Sequence, residues 1–162
     1  MSWFRLFIAA TLATSIAGCG FQLRSDPVVP PEMARTYIAT DDRYSPFYRR
    51  FREQLERAGA EVVASPVDAT AEFSVLADDT GQRVLSVSAR NVPTEFEVYY
   101  SIHYTVRSGE RTLLEPQLQT LTRDYTYDET RVLGKAREEE LLREAIVDDL
   151  VRLVLIQLSS IQ

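Results

Sequence analysis

The sequence predicts an α+β domain in which two helices pack on one face of a four-stranded mixed sheet, in the order β-α-β-β-β-α. Three observations predict it. Ser45-Pro46 opens a helix with an apolar stripe. The run from Phe96 to Arg107 alternates apolar and polar residues almost without exception. A second long apolar stripe closes the chain, from Leu142 to Val154. Both stripes need burial, and a single sheet face is the simplest surface that can bury them together.

Arg35 to Thr40 reads as a short first strand. In the helix that follows, Ser45 is an N-cap and Pro46 takes the first helical position, where its missing N–H is not needed. Phe47, Phe51, Leu55 and Ala58 then recur at i, i+4, i+8 and i+11, and Gly59 closes the helix. Glu61 to Ala64 reads as the start of a short strand that Ser65-Pro66 interrupts, and it is not counted among the four.

From Ala71 the pattern is β, with Phe73, Val75 and Ala77 on one face. Asp78-Asp79-Thr80-Gly81 is either a tight turn or a bulge in one long strand, and the sequence leaves this open. Arg83 to Ala89 resumes the strand, with Leu85, Val87 and Ala89 on one face. Asn91-Val92-Pro93 turns the chain into the cleanest strand. There Phe96, Val98, Tyr100, Ile102, Tyr104 and Val106 point one way, and Glu97, Tyr99, Ser101, His103, Thr105 and Arg107 the other. Ser108-Gly109 turns again, and a polar strand runs from Leu118 to Tyr127. The last helix enters through Leu133-Gly134-Lys135, carries Leu142, Ile146, Leu150, Leu153 and Val154 inward, and runs to about Leu158. The first β-α-β unit should cross over right-handedly and the remaining strands form a meander.

The first residues belong to a different kind of signal. Arg5 precedes an apolar run from Leu6 to Ile16, too short for the roughly 20 helical residues that span a bilayer. It ends Ile16-Ala17-Gly18-Cys19, which resembles the bacterial lipobox. Cys19 is the only cysteine, so it has no disulfide partner within the chain. The organisation expected is a signal peptide over 1–18, a lipidated N-terminus and proline-rich linker over 19–34, and one α+β domain over 35–162. Cys19 then carries covalent lipid as the membrane anchor. Gly20 rather than aspartate follows it, the pattern of lipoproteins released to the outer membrane.

Beyond Arg5 the chain carries 17 Lys and Arg against 24 Asp and Glu, a net charge of −7. That balance argues against nonspecific nucleic-acid binding, which needs cations for phosphates. Chemistry is equally scarce. His103 is the only histidine, on the outward side of a strand, and reads as a surface residue. A zinc set is missing, as is a Gly-x-Ser-x-Gly elbow. The adjacent pairs Asp41-Asp42, Asp78-Asp79 and Asp148-Asp149 would ordinarily diverge into solvent. No cofactor is expected and no enzyme. Arg83, Arg90, Arg107, Arg111, Arg123 and Lys135 lie in or beside the strands. They read either as a solvated face bridged to Glu95, Glu97 and Asp124, or as a local site for an anionic ligand.

Read in order, several segments resemble the LptE family of lipopolysaccharide-assembly lipoproteins. They are Cys19-Gly20-Phe21-Gln22-Leu23-Arg24, Arg83-Val84-Leu85-Ser86-Val87, Glu95-Phe96-Glu97-Val98, Arg123-Asp124-Tyr125-Thr126-Tyr127-Asp128, and Val132-Leu133-Gly134-Lys135 before Glu138-Glu139. The resemblance implies two helices against a four-stranded sheet and a non-enzymatic role. It further implies a partner, the outer-membrane β-barrel LptD, whose lumen such proteins plug from the periplasmic side and whose assembly they assist. Lipopolysaccharide would be the ligand during its insertion into the outer leaflet. Its phosphates would meet basic strand-end residues, and Arg90, Arg123 and Lys135 fall in or beside the matched segments. Asp78 to Gly81 departs from the family by threatening one long strand. The rival readings are a free periplasmic lipoprotein that binds a lipid without a barrel, and an envelope hydrolase using acidic residues.

Overall fold

The computed structural model describes residues 28–126 and 132–161, with Trp3 alone before them, and gives only the backbone over 132–136. The elements are β1 (Arg35–Ala39), α1 (Pro46–Arg57), β2 (Glu61–Val63), β3 (Ala71–Val87), β4 (Pro93–Ser108), β5 (Arg111–Thr126) and α2 (Val132–Leu158). The strands form one sheet in the order β2-β1-β3-β4-β5. β1 runs parallel to both β2 and β3, and the rest of the sheet is antiparallel.

The α+β class with two helices stands, but the sheet has five strands rather than four, and the order is β-α-β-β-β-β-α. The difference is Glu61–Val63, three residues that pair with Arg35, Thr36 and Tyr37. A strand this short carries almost no periodicity, and its partner β1 lies elsewhere in the sequence.

α1 begins as its residues dictate. The Ser45 hydroxyl accepts the Tyr48 N–H at 3.0 Å, Pro46 is the first helical residue, and Gly59 takes φ 96° just beyond the Ala58 cap. Phe47, Phe51 and Leu55 are fully buried. Phe51 lies 4.3 Å from Phe73 of β3, which stacks 5.0 Å from Tyr104 of β4. One aromatic column thus ties the helix to two strands. Each such burial contributes about 1.5–3 kcal/mol.

β3 is one strand. Asp78 to Gly81 neither turns the chain nor bulges, and the irregularities lie at Leu76 and around Leu85–Ser86. Because Leu76 is the extra residue, the face alternates anew after it: Ala77 opposes the outward His103, and Asp78, Thr80 and Gln82 oppose the inward Ile102, Tyr100 and Val98. The expected shared face of Phe73, Val75 and Ala77 therefore breaks at the third residue. β4 keeps the predicted alternation, with Val98, Tyr100, Ile102, Tyr104 and Val106 buried.

β5 starts seven residues earlier than the polar pattern indicates. Pro116 obscures its first half. It sits at a bulge on an edge strand, where two residues (Glu115 and Pro116) stand against Thr105, a place where the missing N–H is tolerated. α2 buries Ile146, Val147, Leu150, Val151, Val154, Leu155 and Leu158, whereas Leu153 is left 41% exposed. The folded part also starts before residue 35. Pro30 is buried, and the short turn Pro31–Met33 inserts Met33 fully into the core.

Two outcomes follow from this packing. Ser45→Ala removes the side-chain acceptor at the start of α1 and should lower stability by about 1 kcal/mol in urea unfolding. Tyr104 is pushed up to about 12 by burial, against an ordinary value of 10.0. The unfolded chain ionises it first, so stability should hold below pH 10 and fall between pH 10 and 12. That residue's share of the fall is on the order of 2–3 kcal/mol. Alkaline unfolding curves of Tyr104→Phe should lack that share.

Candidate functional site

Both helices lie on the inward face, so among the described residues the opposite face of β3, β4 and β5 carries only its own side chains. It is hydroxyl-rich: Tyr99, Ser101, His103 and Thr105 from β4 adjoin Leu118, Thr120 and Thr122 from β5. Ser101 and Thr120 hydroxyls meet at 2.9 Å. Tyr99 lies directly over Gly81, where an added Cβ would stand 2.7 Å from its phenol oxygen, so only glycine fits beneath that ring. Arg83 pairs with Glu97 across the strands, one of the bridges expected on this face. Glu97 itself opposes Asp124, and Arg83 offsets that acidic pairing.

The cations singled out from the sequence divide between two ends of the sheet. Arg107 and Arg111 sit at the β4–β5 turn. Arg90 lies at the other end, exposed in the β3–β4 turn, which is held by Asn91 N–H to Ser88 O (2.9 Å) and Ser88 N–H to Val92 O (2.7 Å). Arg123 lies near the same end, since Glu95 opposes Thr126 three residues further along β5. Lys135 belongs to the first turn of α2, which follows that end of β5, and its side chain lies outside the described residues. Cys19 lies outside them as well.

Arg123 does not join the outer face. It opposes Val98, points to the helix side and pairs with Asp149 at 2.7 Å. Asp149 also accepts from Arg152 at 2.5 Å, while its neighbour Asp148 pairs with Arg50 of α1. The Asp148-Asp149 dipeptide thus clasps α2 to α1 on one side and to β5 on the other. The sequence leads one to expect such a pair to diverge into solvent; the two carboxylates do diverge, but each meets an arginine instead.

A second feature escaped the sequence altogether. Between the start of α1, the middle of α2 and β3 lies an open cleft of about 540 Å³, lined by Arg49, Arg50, Thr80, Tyr100 and Arg143 among others. Arg143 donates to Thr80 Oγ1 at 2.9 Å and to Glu139 at 2.7 Å. Burial first, and Asp78 beside it, hold the Tyr100 phenol well above its ordinary range, so it stays a neutral donor. Thr80 reaches this cleft, and Asp78 the Tyr100 phenol, only because of the shift at Leu76, which no local pattern announces. The cleft brings opposite charges together in pairs and presents no nucleophile–base arrangement among the described residues.

Residues 33–158 match the family model for LptE, described as lipopolysaccharide-assembly. The chain belongs to the LptE family. Among its relatives, the LPS-assembly lipoprotein LptE of Yersinia enterocolitica is 27% identical over 82% of this chain and 64% of its own length. The protein of the same name from Yersinia pestis is 23% identical over 90% of this chain and 70% of its own. The alignment with the first thus spans less than two thirds of that relative. Among solved structures, lipoprotein B from Nitrosomonas europaea superposes with a TM-score of 0.74 at 26% identity, covering 87% of this chain and 91% of that one. A minor lipoprotein from Acinetobacter baumannii, at 19% identity and a TM-score of 0.66, shares the fold.

For this LptE-family chain, the Arg123–Asp149 pair is half-exposed, so a double-mutant cycle with Arg123→Ala and Asp149→Ala should give a coupling energy of about 0.2–1 kcal/mol. The coupling should shrink at high salt. A larger coupling would make Arg123 a structural residue first.

Proposed function

We propose that this chain is an outer-membrane lipoprotein that plugs an LptD-like β-barrel, assists its assembly and takes part in delivering lipopolysaccharide to the outer leaflet. The observation that carries the reading is the family match over residues 33–158, set on a domain whose open sheet face is hydroxyl-rich. A barrel lumen is polar, and a polar face meets it without stranding apolar surface. The role is one of binding and assembly rather than catalysis. Cys19 is its lipid anchor, and the domain stands on the periplasmic side within the lumen.

Lipopolysaccharide phosphates are the ligands proposed for Arg90, Lys135 and Arg123. Arg90 is the most accessible, an exposed guanidinium on a hydrogen-bonded turn. Arg123 is held by Asp149, so a phosphate must exchange with that carboxylate to engage it. The rival, a free lipid carrier in the periplasm, requires a deep apolar cavity. Here the space between sheet and helices is occupied by the Phe47, Phe51, Phe73 and Tyr104 rings.

Mass spectrometry of material co-purifying with the tagged, lipidated protein from detergent-solubilised outer membranes tests the reading. A stoichiometric large β-barrel protein that survives high salt is the expected result. Recovery of the protein alone, or with lipid only, would hand the role to the free carrier. Arg90→Glu with Lys135→Glu should weaken lipopolysaccharide binding by roughly tenfold or more, as loss of charge-assisted phosphate contacts does. The barrel should still co-purify. Cys19→Ser should leave the protein unanchored in the soluble periplasmic fraction.

A further inference from the structure

β3 has an unpaired flank. β1 pairs with it only along Ala71–Ser74, so from Val75 to Val87 it has β4 on one side and, among the described residues, no strand on the other. Thirteen residues at about 3.3 Å each give a row of free backbone donors and acceptors roughly 40 Å long. Such an edge invites pairing with another chain, and natural sheets ordinarily protect it. Of the outer strands, β2 is only three residues long, and β5 carries Pro116 at a bulge and then runs from Gln117 to Thr126 with mostly polar side chains.

The β3 edge is exposed instead with aliphatic residues along it. Leu76, Val84, Leu85 and Val87 are 47–53% exposed, a concentration found nowhere else among the described residues. Bulges at Leu76 and around Leu85 bracket a regular stretch, Ala77–Val84, long enough for one strand of ordinary length. Within it, Asp78 and Asp79 have no ion-pair partner among the described residues, and Asp78 Oδ2 is buried without a hydrogen-bond partner. The edge is therefore aliphatic at its ends and acidic near one end of its regular part. A second copy of the chain answers that charge poorly, because the basic residue of this stretch, Arg83, is already held by Glu97.

We propose that the free edge of β3, Ala77–Val84, accepts an extended segment of a partner protein by strand addition. That segment carries Lys or Arg opposite Asp79 and aliphatic residues opposite Leu76 and Val84–Val87. Main-chain hydrogen bonds give the contact its strength, and Asp79 fixes its register. The inference rests on the barrel reading only for who supplies the segment.

Photo-cross-linking of the full-length, lipidated protein in native outer membranes tests it, with p-benzoylphenylalanine placed at Ala77, exposed on the free strand and on the same face as Asp79. The expected result is a cross-link from position 77 to another polypeptide. Peptide mapping should place it in an extended segment containing Lys or Arg. Asp79→Lys should reduce that cross-link by about tenfold or more, as reversal of one close charge pair does, and Asp79→Glu should retain it. Circular dichroism melts of the variants establish that each is folded. A barrel that still co-purifies while position 77 stays silent, or a yield that Asp79→Lys leaves unchanged, overturns the edge proposal and leaves the barrel reading intact. A cross-link from position 77 to a second copy of this chain also overturns it. If neither co-purification nor cross-linking finds a polypeptide, the barrel reading has failed and the edge proposal with it.

Discussion

The extra residue at Leu76 controls what the long β3–β4 ribbon presents to each side. Side chains along a strand alternate strictly, so one inserted residue exchanges the two faces for everything beyond it. Before Leu76, the inward positions of β3 are Ala71, Phe73 and Val75, which suit a core. After it they are Asp78, Thr80 and Gln82, which do not. Neighbouring strands and α2 meet them with polar partners: the Tyr100 phenol of β4 near Asp78, Arg143 of α2 on Thr80, and the Tyr125 hydroxyl of β5 on Gln82 at 3.2 Å. The same exchange sends Asp79, Gly81 and Arg83 to the open face, where Tyr99 covers Gly81 and Glu97 holds Arg83. The domain is thus apolar between sheet and helices at one end and polar at the other.

The polar end is organised chiefly by α2. Asp148 and Asp149 are adjacent on the helix and about 100° apart around it, so they reach Arg50 of α1 and Arg123 of β5 respectively. Each pair is exposed enough to contribute little to stability alone. Their effect is geometric, since they hold the start of α1 and the end of β5 against one helix. For ligand chemistry this divides the cations. Arg90 is exposed on a turn, whereas Arg123 is engaged and becomes available only by exchange. An anion arriving at this end therefore meets a graded set of cations.

The LptE-family membership gives these features a common setting. Under the proposed plug role, the domain need not protect every edge or cover every face as a free-standing one must. The hydroxyl-rich face and the long flank of β3, both uncovered among the described residues, are then surfaces that a partner would complete. Their chemistry differs, one being polar and broad and the other linear and partly aliphatic. They would make different kinds of contact.

Much of this was determined by the sequence alone. Ser45, Pro46 and Gly59 fix where α1 begins and ends, because caps and glycine conformations act locally. The alternation from Phe96 to Val106 fixes which face of β4 is core, because it reflects burial on one side of a strand. Composition argues against nonspecific nucleic-acid binding and offers few groups for catalysis. The rest is tertiary. Whether Glu61–Val63 becomes a strand depends on β1, and whether Pro116 ends or interrupts β5 depends on its being at an edge. Asp78 to Gly81 remains extended because β4 supplies a continuous ladder beside it, while the extra residue falls at Leu76, whose neighbours give no local warning. Arg123 finds Asp149 on a helix and Arg143 finds Thr80 on a strand, each tens of residues away. Local signals fix elements and their faces; register, edges and ion pairs arise only when distant segments meet, because each is a property of two segments and belongs to neither alone.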